Sequence, residues 1–293
     1  MPAVKAFRVL VATDGSTAAR AALTTAVRFP WPSGARGFAV VAKETGVEFS
    51  PAVLVAALDH AADLTALRAQ RSLATRWPDG QARVIEAEPV EAILREAKAV
   101  RADVIVLGWR GHGAVRRLLS GSVSRGVARR APCSVLVVRR ARRECRRVVI
   151  GLDASAHAAR ALELLTALTR PDGGHVTLLR AIDTMPVPAQ ALAPSGTRAS
   201  VATEVARIND TRRAAAHKDL TRAAKVLEAA GWDVDQVVTE GAPLHDLLAV
   251  VAKTHADLVV VGARSATGLR HLLLGSVAEG AMNASPVPVL IVR

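Results

Sequence analysis

A glycine-rich segment from Gly108 to Ser122 contains the residues best suited to hold a ligand. Gly108 is followed by two residues and Gly111, then by nine residues and the pair Gly121 and Ser122. Glycines allow positive φ and a close approach of the backbone to a ligand. A helix is expected to begin near Gly121, and the first N–H groups of a helix, with about half a unit of positive charge, bind anions. The segment therefore predicts a phosphate-binding loop.

A carboxylate at Asp14 is the second candidate ligand group. Asp14 follows the apolar run VLVAT and precedes Gly15, Ser16 and a helical pattern. One role open to it is to accept hydrogen bonds from ribose hydroxyls. The other is to cap the following helix, a contribution of about 1 kcal/mol. The residues around Asp14 leave both roles open.

Short runs rich in β-branched residues alternate with longer helical patterns, which predicts a parallel sheet with helices on both faces. The expected strands lie near residues 8–13, 37–42, 82–86, 104–107 and 135–138, and again near 148–152, 175–181, 235–239, 258–261 and 289–292. Such open sheets bind ligands outside the carboxyl ends of their strands, where the strand order reverses. Asp14 and Gly108 each follow an expected strand, so both are expected at that edge.

The chain is a tandem duplication. Residues 102–139 align without a gap with residues 256–293, and 17 of the 38 positions are identical. Residues 9–16 also match residues 148–155, at an offset of 139 instead of 154, so the second copy carries 15 extra residues, expected near 185–196. A charged segment at 140–146 has no apolar period. We therefore expect one domain at 1–140 and a second at 147–293.

The spacing G-x2-G-x9-G-S after a fourth strand, with an aspartate after the first, resembles the ATP-binding branch of the universal stress protein family. The resemblance covers essentially the whole chain. It implies an α/β fold of two tandem copies of an open, doubly wound five-stranded parallel sheet, Rossmann-like, with strand order 3-2-1-4-5. It also implies pairing through the last strands, near 135–138 and 289–292, between the two copies and in a homodimer.

The resemblance also implies which residues contact an adenine nucleotide. Asp14 and Gly108 are expected to hold the ribose, and Ala42 is expected to meet the adenine. The residues expected around the phosphates are Ala12, Thr13, Gly111, Gly121, Ser122, Val123 and Ser124. The implied ligand is ATP, with ADP and AMP as alternatives and with Mg²⁺ accompanying ATP.

The second copy has a matching but altered set of positions. They are Asp153, Ala181, Gly262, Ser265, Gly275, Ser276 and Val277. Ser265 replaces Gly111, and a Cβ there costs on the order of 1 kcal/mol if positive φ is required. Ala278 replaces Ser124, and Glu279 replaces Arg125, so a negative charge stands where phosphates are expected. We therefore expect the second site to bind weakly or to be vestigial; the alternative is that the Ser265 hydroxyl donates to the ligand.

Length and composition restrict the class of protein. A chain of 293 residues has room for two domains that each bury a core. No apolar run approaches the roughly 18 residues of a membrane span, and the first ten residues contain no export signal. The chain has only two cysteines, which fits a reducing compartment, so a cytoplasmic location is expected.

The net charge of +13 lies entirely in the first half. Up to Arg147 there are 25 Lys plus Arg against 12 Asp plus Glu, and after it 14 against 14. This excess is compatible with polyanion binding. It is equally compatible with a general preference for arginine, because Arg outnumbers Lys 33 to 6 and many of these side chains would simply be solvated.

Motifs for several enzyme classes are missing. There is no Walker Lys-Ser or Lys-Thr, no complete dinucleotide fingerprint and no histidine spacing of a metal site. We assign no catalytic residue and no metal ligand. The expected function is a nucleotide-binding stress-response regulator without efficient turnover; the alternatives are a slow ATPase or nucleotide-dependent enzyme, and a polyanion binder. Nucleic acid and membrane are not expected partners.

Overall fold

The computed structural model describes residues 6–43, 52–109, 121–141, 145–153, 155–186, 198–263 and 274–293. The strands are β1 (Arg8–Ala12), β2 (Arg36–Lys43), β3 (Gln81–Glu86), β4 (Val104–Gly108), β5 (Ser134–Val138), β6 (Arg147–Gly151), β7 (His175–Ile182), β8 (Asp233–Glu240), β9 (Leu258–Gly262) and β10 (Val289–Val292). The helices are α1 (Thr17–Arg28), α2 (Ala52–Ala74), α3 (Pro89–Ala99), α4 (Ser122–Arg130), α5 (Ala156–Ala167), α6 (Arg198–Ala229), α7 (Pro243–Lys253) and α8 (Ser276–Ala284). Each strand lies within two residues of its expected position.

All these strands form one continuous sheet in the order β3-β2-β1-β4-β5-β10-β9-β6-β7-β8. Within each copy every pairing is parallel, and the order is 3-2-1-4-5. The second copy repeats this arrangement through β6 to β10. The expected fold class, two doubly wound five-stranded sheets in tandem, is confirmed.

The two copies join at an antiparallel pair formed by β5 and β10, with Leu136 opposite Leu290. The pairing through last strands that the resemblance implied therefore takes place within the chain. Each of these strands already has a neighbour on both sides, and the edges of the described sheet are β3 and β8. A homodimer would consequently have to use a different surface.

Strands that are apolar at nearly every position are typical of sheets covered on both faces. Alternate residues of one strand enter opposite cores: Leu10 and Ile105 belong to one buried cluster, and Val9 and Val104 belong to the other. Both clusters continue from β5 into β10, since each contains residues of both copies. The copies thus share two continuous cores, one on each side of the sheet.

The helices begin at recognisable signals. The hydroxyl of Ser16 accepts a hydrogen bond of 3.1 Å from the Ala19 N–H and caps α1, and the carboxylate of Glu88 accepts from Val90 N–H at 3.0 Å and caps α3. Helix α6 has 32 residues where its counterpart α2 has 23. The extra residues of the second copy, expected near 185–196, are thus partly absorbed by a longer helix; residues 187–197 lie outside the described residues.

Equivalent arginines connect the two copies across the seam, the junction at which β5 pairs with β10. The Arg139 guanidinium donates to the carbonyl oxygens of Met282, at 2.9 Å, and Asn283, at the end of α8. Its counterpart Arg293 donates to the carbonyl of Ala128, near the end of α4. Cations at the carboxyl end of a helix satisfy its unpaired carbonyls and complement its dipole. None of the described helices has the length and apolar character that a membrane span requires.

Candidate functional site

The carboxyl ends of β1 and β4 lie side by side, because the two strands pair in parallel with Val11 opposite Val106. The strand order reverses between them, from 3-2-1 to 4-5. Asp14 follows β1 and Gly108 ends β4, so the structure brings both to the edge where open α/β sheets bind ligands. The sequence had predicted this juxtaposition.

A tight turn follows β1 and orients Asp14. One carboxylate oxygen of Asp14 accepts a 2.9 Å hydrogen bond from the Ser16 N–H, and the Thr13 hydroxyl accepts from the Gly15 N–H at 3.3 Å. Ser16, and not Asp14, provides the side-chain cap of α1. Asp14 itself is exposed at the edge of the sheet. The capping alternative for Asp14 is thereby replaced by a bond within the turn, which leaves a carboxylate exposed beside β4.

Gly108 allows α1 to approach β4. A Cβ at this position would lie 2.6 Å from the carbonyl carbon and 2.9 Å from the Cβ of Ala18, closer than side chains tolerate. The glycine is therefore explained by packing in the free protein. The same close packing holds the amino-terminal turn of α1, and with it the Asp14 turn, beside the end of β4.

Helix α4 begins with its backbone N–H groups directed at the same edge. Gly121 precedes it with a left-handed φ of 84°, and within the described ranges no side chain caps the helix. The first turn contains no acidic residue. The N–H groups of Ser122, Val123 and Ser124 have no partner within a helix that starts here, which makes this terminus suited to an anion.

The hydroxyl of Ser124 points away from that terminus. It donates to the carbonyl oxygens of Gly108, at 2.7 Å, and of Trp109, at 3.2 Å, and the residue is almost completely buried. Ser124 thus ties α4 to the end of β4. Its contribution to an anion site would come from its backbone N–H, whereas the side chain has a structural role.

Trp109 forms the floor beneath the start of α4. A Cβ on Gly121 would lie 3.0 Å from the indole ring, and Trp109 is 4% exposed. The guanidinium carbons of Arg139 and Arg125 lie 4.5 Å and 5.8 Å from the ring centroid, within the range of cation–π contact. Sequence reasoning did not identify Arg139 as part of this site. The available signal was its identity with Arg293 in the alignment of the two copies.

The second copy has the same aspartate turn as the first, but it differs at the glycine before its helix and at the tryptophan position. Asp153 accepts from the Ser155 N–H at 3.0 Å, as Asp14 does from Ser16. Gly275, which precedes α8, has an ordinary φ of −64°, and its N–H donates to the Ala263 carbonyl at 2.8 Å. Ala263 occupies the position of Trp109, so that ring has no aromatic counterpart at this position before α8. The start of α8 is therefore tied back to the end of β9 by a backbone hydrogen bond, whereas the Ser124 hydroxyl ties α4 to the end of β4.

Glu279 has a partner that the sequence did not reveal. Its carboxylate lies 2.6 Å from the Arg129 guanidinium of the first copy. The sequence suggested that Glu279 repels phosphate; in the structure its charge is offset by an ion pair across the seam. What the second site lacks is the basic residue that Arg125 supplies in the first.

The remaining expected contacts of the first copy lie on the same edge of the sheet, whereas those of the second copy lie at the carboxyl ends of their own strands, which face the opposite edge because β5 and β10 run antiparallel. Ala42 stands near the end of β2, and Ala12 and Thr13 close β1; in the second copy the corresponding positions are Ala181 in β7, Gly262 at the end of β9, and Ser276 and Val277 in the first turn of α8. Gly111 and Ser265 lie outside the described residues. Within the described ranges, no group of three His, Cys, Asp or Glu side chains is arranged to hold a metal ion.

Proteins of known sequence or structure that resemble this chain include universal stress proteins. The model of the universal stress protein family matches residues 6–139 and 144–293. A universal stress protein of Thermus aquaticus is 38% identical over 136 residues, 45% of this chain and 97% of that protein. One of Mycobacterium tuberculosis is 31% identical over 213 residues, 66% of this chain and 62% of that protein. The crystal structure of a universal stress protein from Archaeoglobus fulgidus superposes with a TM-score of 0.70 at 20% identity, covering 99% of both chains, which supports the fold. The chain belongs to the universal stress protein family.

Proposed function

We propose that this chain is a stress-response regulatory protein that binds an adenine nucleotide in its first copy and holds it without efficient turnover. The observation that carries the proposal is the start of α4, which no described side chain caps and which has no acidic residue in its first turn, on the same sheet edge as the exposed carboxylate of Asp14. A helix amino terminus suits phosphates and a carboxylate suits ribose hydroxyls, so the two together fit a nucleotide better than a simple anion.

The ligand proposed is ATP, with ADP and AMP as alternatives that present the same ribose and adenine. Mg²⁺ would accompany ATP mainly through phosphate oxygens and water, as is usual for this ion. Asp14 and Gly108 would contact the ribose, Ala42 the adenine, and the first N–H groups of α4 the phosphates, together with Ala12, Thr13 and Gly111. The domains in this proposal are residues 1–140 and 147–293, and the location is cytoplasmic.

The second copy is proposed to bind the nucleotide weakly or not at all. Three differences support this: the ordinary φ of Gly275, the alanine that replaces Trp109, and Glu279 in place of Arg125. The asymmetry predicts one tight site per chain. A regulatory role fits such an arrangement, because one copy would sense the nucleotide while the other provides a fixed partner.

Calorimetry with matched variants tests the proposal. Titration of the full chain with ATP should give one site per chain. Gly121→Ala should abolish or strongly weaken it, because a side chain is strained at a φ of 84° and its Cβ would lie 3.0 Å from the Trp109 ring, whereas Gly275→Ala should leave it unchanged. Denaturing the purified protein and identifying any released nucleotide tests which nucleotide is bound. Two equal sites would contradict the assigned asymmetry, and no binding heat with unchanged Trp109 fluorescence would refute the nucleotide assignment.

Turnover is tested separately. Phosphate release from ATP by the wild-type chain should not exceed that of Gly121→Ala by more than a small margin. A clear excess would favour the slow ATPase. Universal stress protein membership alone does not decide between these outcomes, because one fold hosts both binders and enzymes.

A further inference from the structure

A second concave site lies at the opposite edge of the sheet, at the amino ends of β2 and β3. It is a cavity of about 380 Å³ between the turn that precedes β2 and the turn that precedes β3, and Thr169 of the second copy completes its rim. We call it the turn pocket; the residues that matter for its chemistry are Trp31, Arg36, Arg76, Trp77, Asp79 and Thr169. Its size is at the lower end of the range for small-molecule sites.

The aromatic walls of the turn pocket are already in place in the free protein. Trp77 packs against β2 because Gly37 has no side chain: a Cβ there would lie 2.1 Å from the indole ring. Trp31 is 1% exposed, and its indole N–H donates to the Ala26 carbonyl at 2.7 Å. Thr169 fixes the same turn from the second copy, since its hydroxyl donates to the Trp31 carbonyl at 3.0 Å. The walls therefore need no ordering when a ligand enters.

Arg76 is a positive charge held in place without a counter-ion. One guanidinium nitrogen donates to the carbonyls of Val27, at 3.0 Å, and Phe29, at 2.6 Å, and the guanidinium lies 5.5 Å from the Trp77 ring centroid. Partial burial lowers the pKa of Arg76, and no carboxylate offsets this effect. Among the described residues neither Arg76 nor Arg36 forms an ion pair. The pocket thus contains two arginines against one exposed carboxylate, Asp79.

We propose that the turn pocket binds a small organic anion whose carboxylate or phosphate contacts Arg76 and Arg36 and whose apolar body lies against the small exposed part of Trp77. The charge selects the anionic group, because a guanidinium with free donors pairs best with a carboxylate or phosphate. The aromatic walls favour an organic molecule over a hydrated inorganic ion. This site is separate from the proposed nucleotide site, so the two proposals stand or fall independently.

Benzoate is a suitable probe, with phenyl phosphate as the second arm. The chain has four tryptophans, and their indole N–H signals in an ¹⁵N-labelled sample, assigned by single Trp→Phe variants, report the pocket directly. Trp31 and Trp77 should shift in a saturable way, while Trp109 and Trp232, which lie outside the pocket, serve as internal references. If phenyl phosphate binds more tightly than benzoate, the natural ligand is a phosphate ester; the reverse order indicates a carboxylate.

Charge variants complete the test. Arg76→Gln should weaken benzoate binding by about tenfold or more, the scale of a lost charge-assisted bidentate contact. Because Arg76 also holds α1 carbonyls, Arg36→Gln provides a second variant at an exposed side chain, and it should weaken binding as well. Arg222→Gln, at an exposed side chain of α6 that does not line the pocket, is the control and should have no effect.

Four results would overturn the proposal. They are the absence of a saturable shift with both probes, equal binding of benzyl alcohol and benzoate, equal binding of inorganic phosphate and phenyl phosphate, and undiminished binding by both arginine variants. The first result would show that the pocket binds neither probe. The second would contradict its preference for anions, and the third its preference for an organic ligand. The last would show that Arg76 and Arg36 do not hold the anion.

Discussion

The guanidinium of Arg139 lies 4.5 Å from the ring centroid of Trp109 and at the same time donates to the carbonyls that end α8 in the other copy. One side chain thereby connects the floor of the candidate nucleotide site to the seam between the copies. Arg293 makes the equivalent seam contact, but alanine stands at its copy's tryptophan position. Variants of Arg293 therefore serve as controls for variants of Arg139.

Arg139→Gln should destabilise the chain more than Arg293→Gln. Both variants lose a charge-assisted bond to helix carbonyls, of about 1.5–3 kcal/mol, and only the first also loses the cation–π contact, about 0.5–2 kcal/mol. Urea unfolding without nucleotide measures the difference. Arg139→Gln should in addition shift the fluorescence of Trp109. Equal destabilisation and unchanged fluorescence would mean that the stacking contributes nothing.

Gly108→Ala should cost more stability than Gly151→Ala, although both glycines end a strand next to a helix. At Gly108 the new Cβ would lie 2.6–2.9 Å from Ala18 and force α1 to move, whereas at Gly151 its contacts would be 3.5 Å or longer. Overpacking of this kind costs about 1–3 kcal/mol. Thermal unfolding of both variants without nucleotide checks the ranking, and similar midpoints would argue against the close packing of α1 on β4.

Exchanging the charges of Arg129 and Glu279 should restore the stability that reversal of either charge alone removes. The pair is 2.6 Å apart and partly exposed, so its net contribution is about 0.2–1 kcal/mol. Arg129→Glu alone should lower the free energy of unfolding, and the double variant with Glu279→Arg should recover most of it at low salt. The recovery should shrink at high ionic strength. A double variant no better than the single one would show that the two charges do not interact.

The thiol of Cys133 should react slowly with alkylating reagents. It should also make the free energy of unfolding decrease at high pH. Burial, with a smaller effect from Asp103, raises the pKa of its thiol to about 12. In the unfolded chain the thiol ionises near pH 9, so between about pH 9 and 12 the folded state retains a proton that the unfolded state loses, and the free energy of unfolding decreases by at most about 1.4 kcal/mol per pH unit.

Alkylation in a Cys145→Ala background measures this directly. At pH 8 the native chain should react with iodoacetamide far more slowly than the same chain in guanidinium, because little thiolate is present. Cys133→Ala should remove part of the alkaline loss of stability. A native thiol that reacts as fast as the unfolded one would contradict the raised pKa.

The local sequence pattern was sufficient to predict the strands of this protein, its two copies and the edge at which Asp14 and Gly108 lie. Hydrophobic runs such as β1 and β4 indicate buried parallel strands wherever they occur, because a strand covered on both faces must be apolar at nearly every position. The repeat revealed two copies, and the position of Asp14 and Gly108 after strands placed both at one edge. These inferences need only neighbours in the chain or a comparison of the chain with itself.

Contacts between distant residues required the folded chain. The sequence predicted that Glu279 would repel phosphate, while the structure pairs it with Arg129, 150 positions away. It left the arginine excess open between polyanion binding and solvation, whereas Arg125 and Arg139 stack on Trp109 and Arg139 and Arg293 hold helix ends. It also left Asp14 open between ribose and helix cap; the structure assigns the side-chain cap of α1 to Ser16, and the ribose contact of Asp14 stays a prediction.

The amino-acid sequence by itself thus determined the duplication, the class of fold and the edge that carries the candidate site. Only the tertiary structure decided that the last strands pair within the chain, that Trp109 lies beneath the start of α4, and that two turns and Thr169 enclose a second pocket. The physical reason is that periodicity and spacing encode which face of an element is buried. The particular partner of a charge or ring depends on the packing of elements that are far apart in the chain.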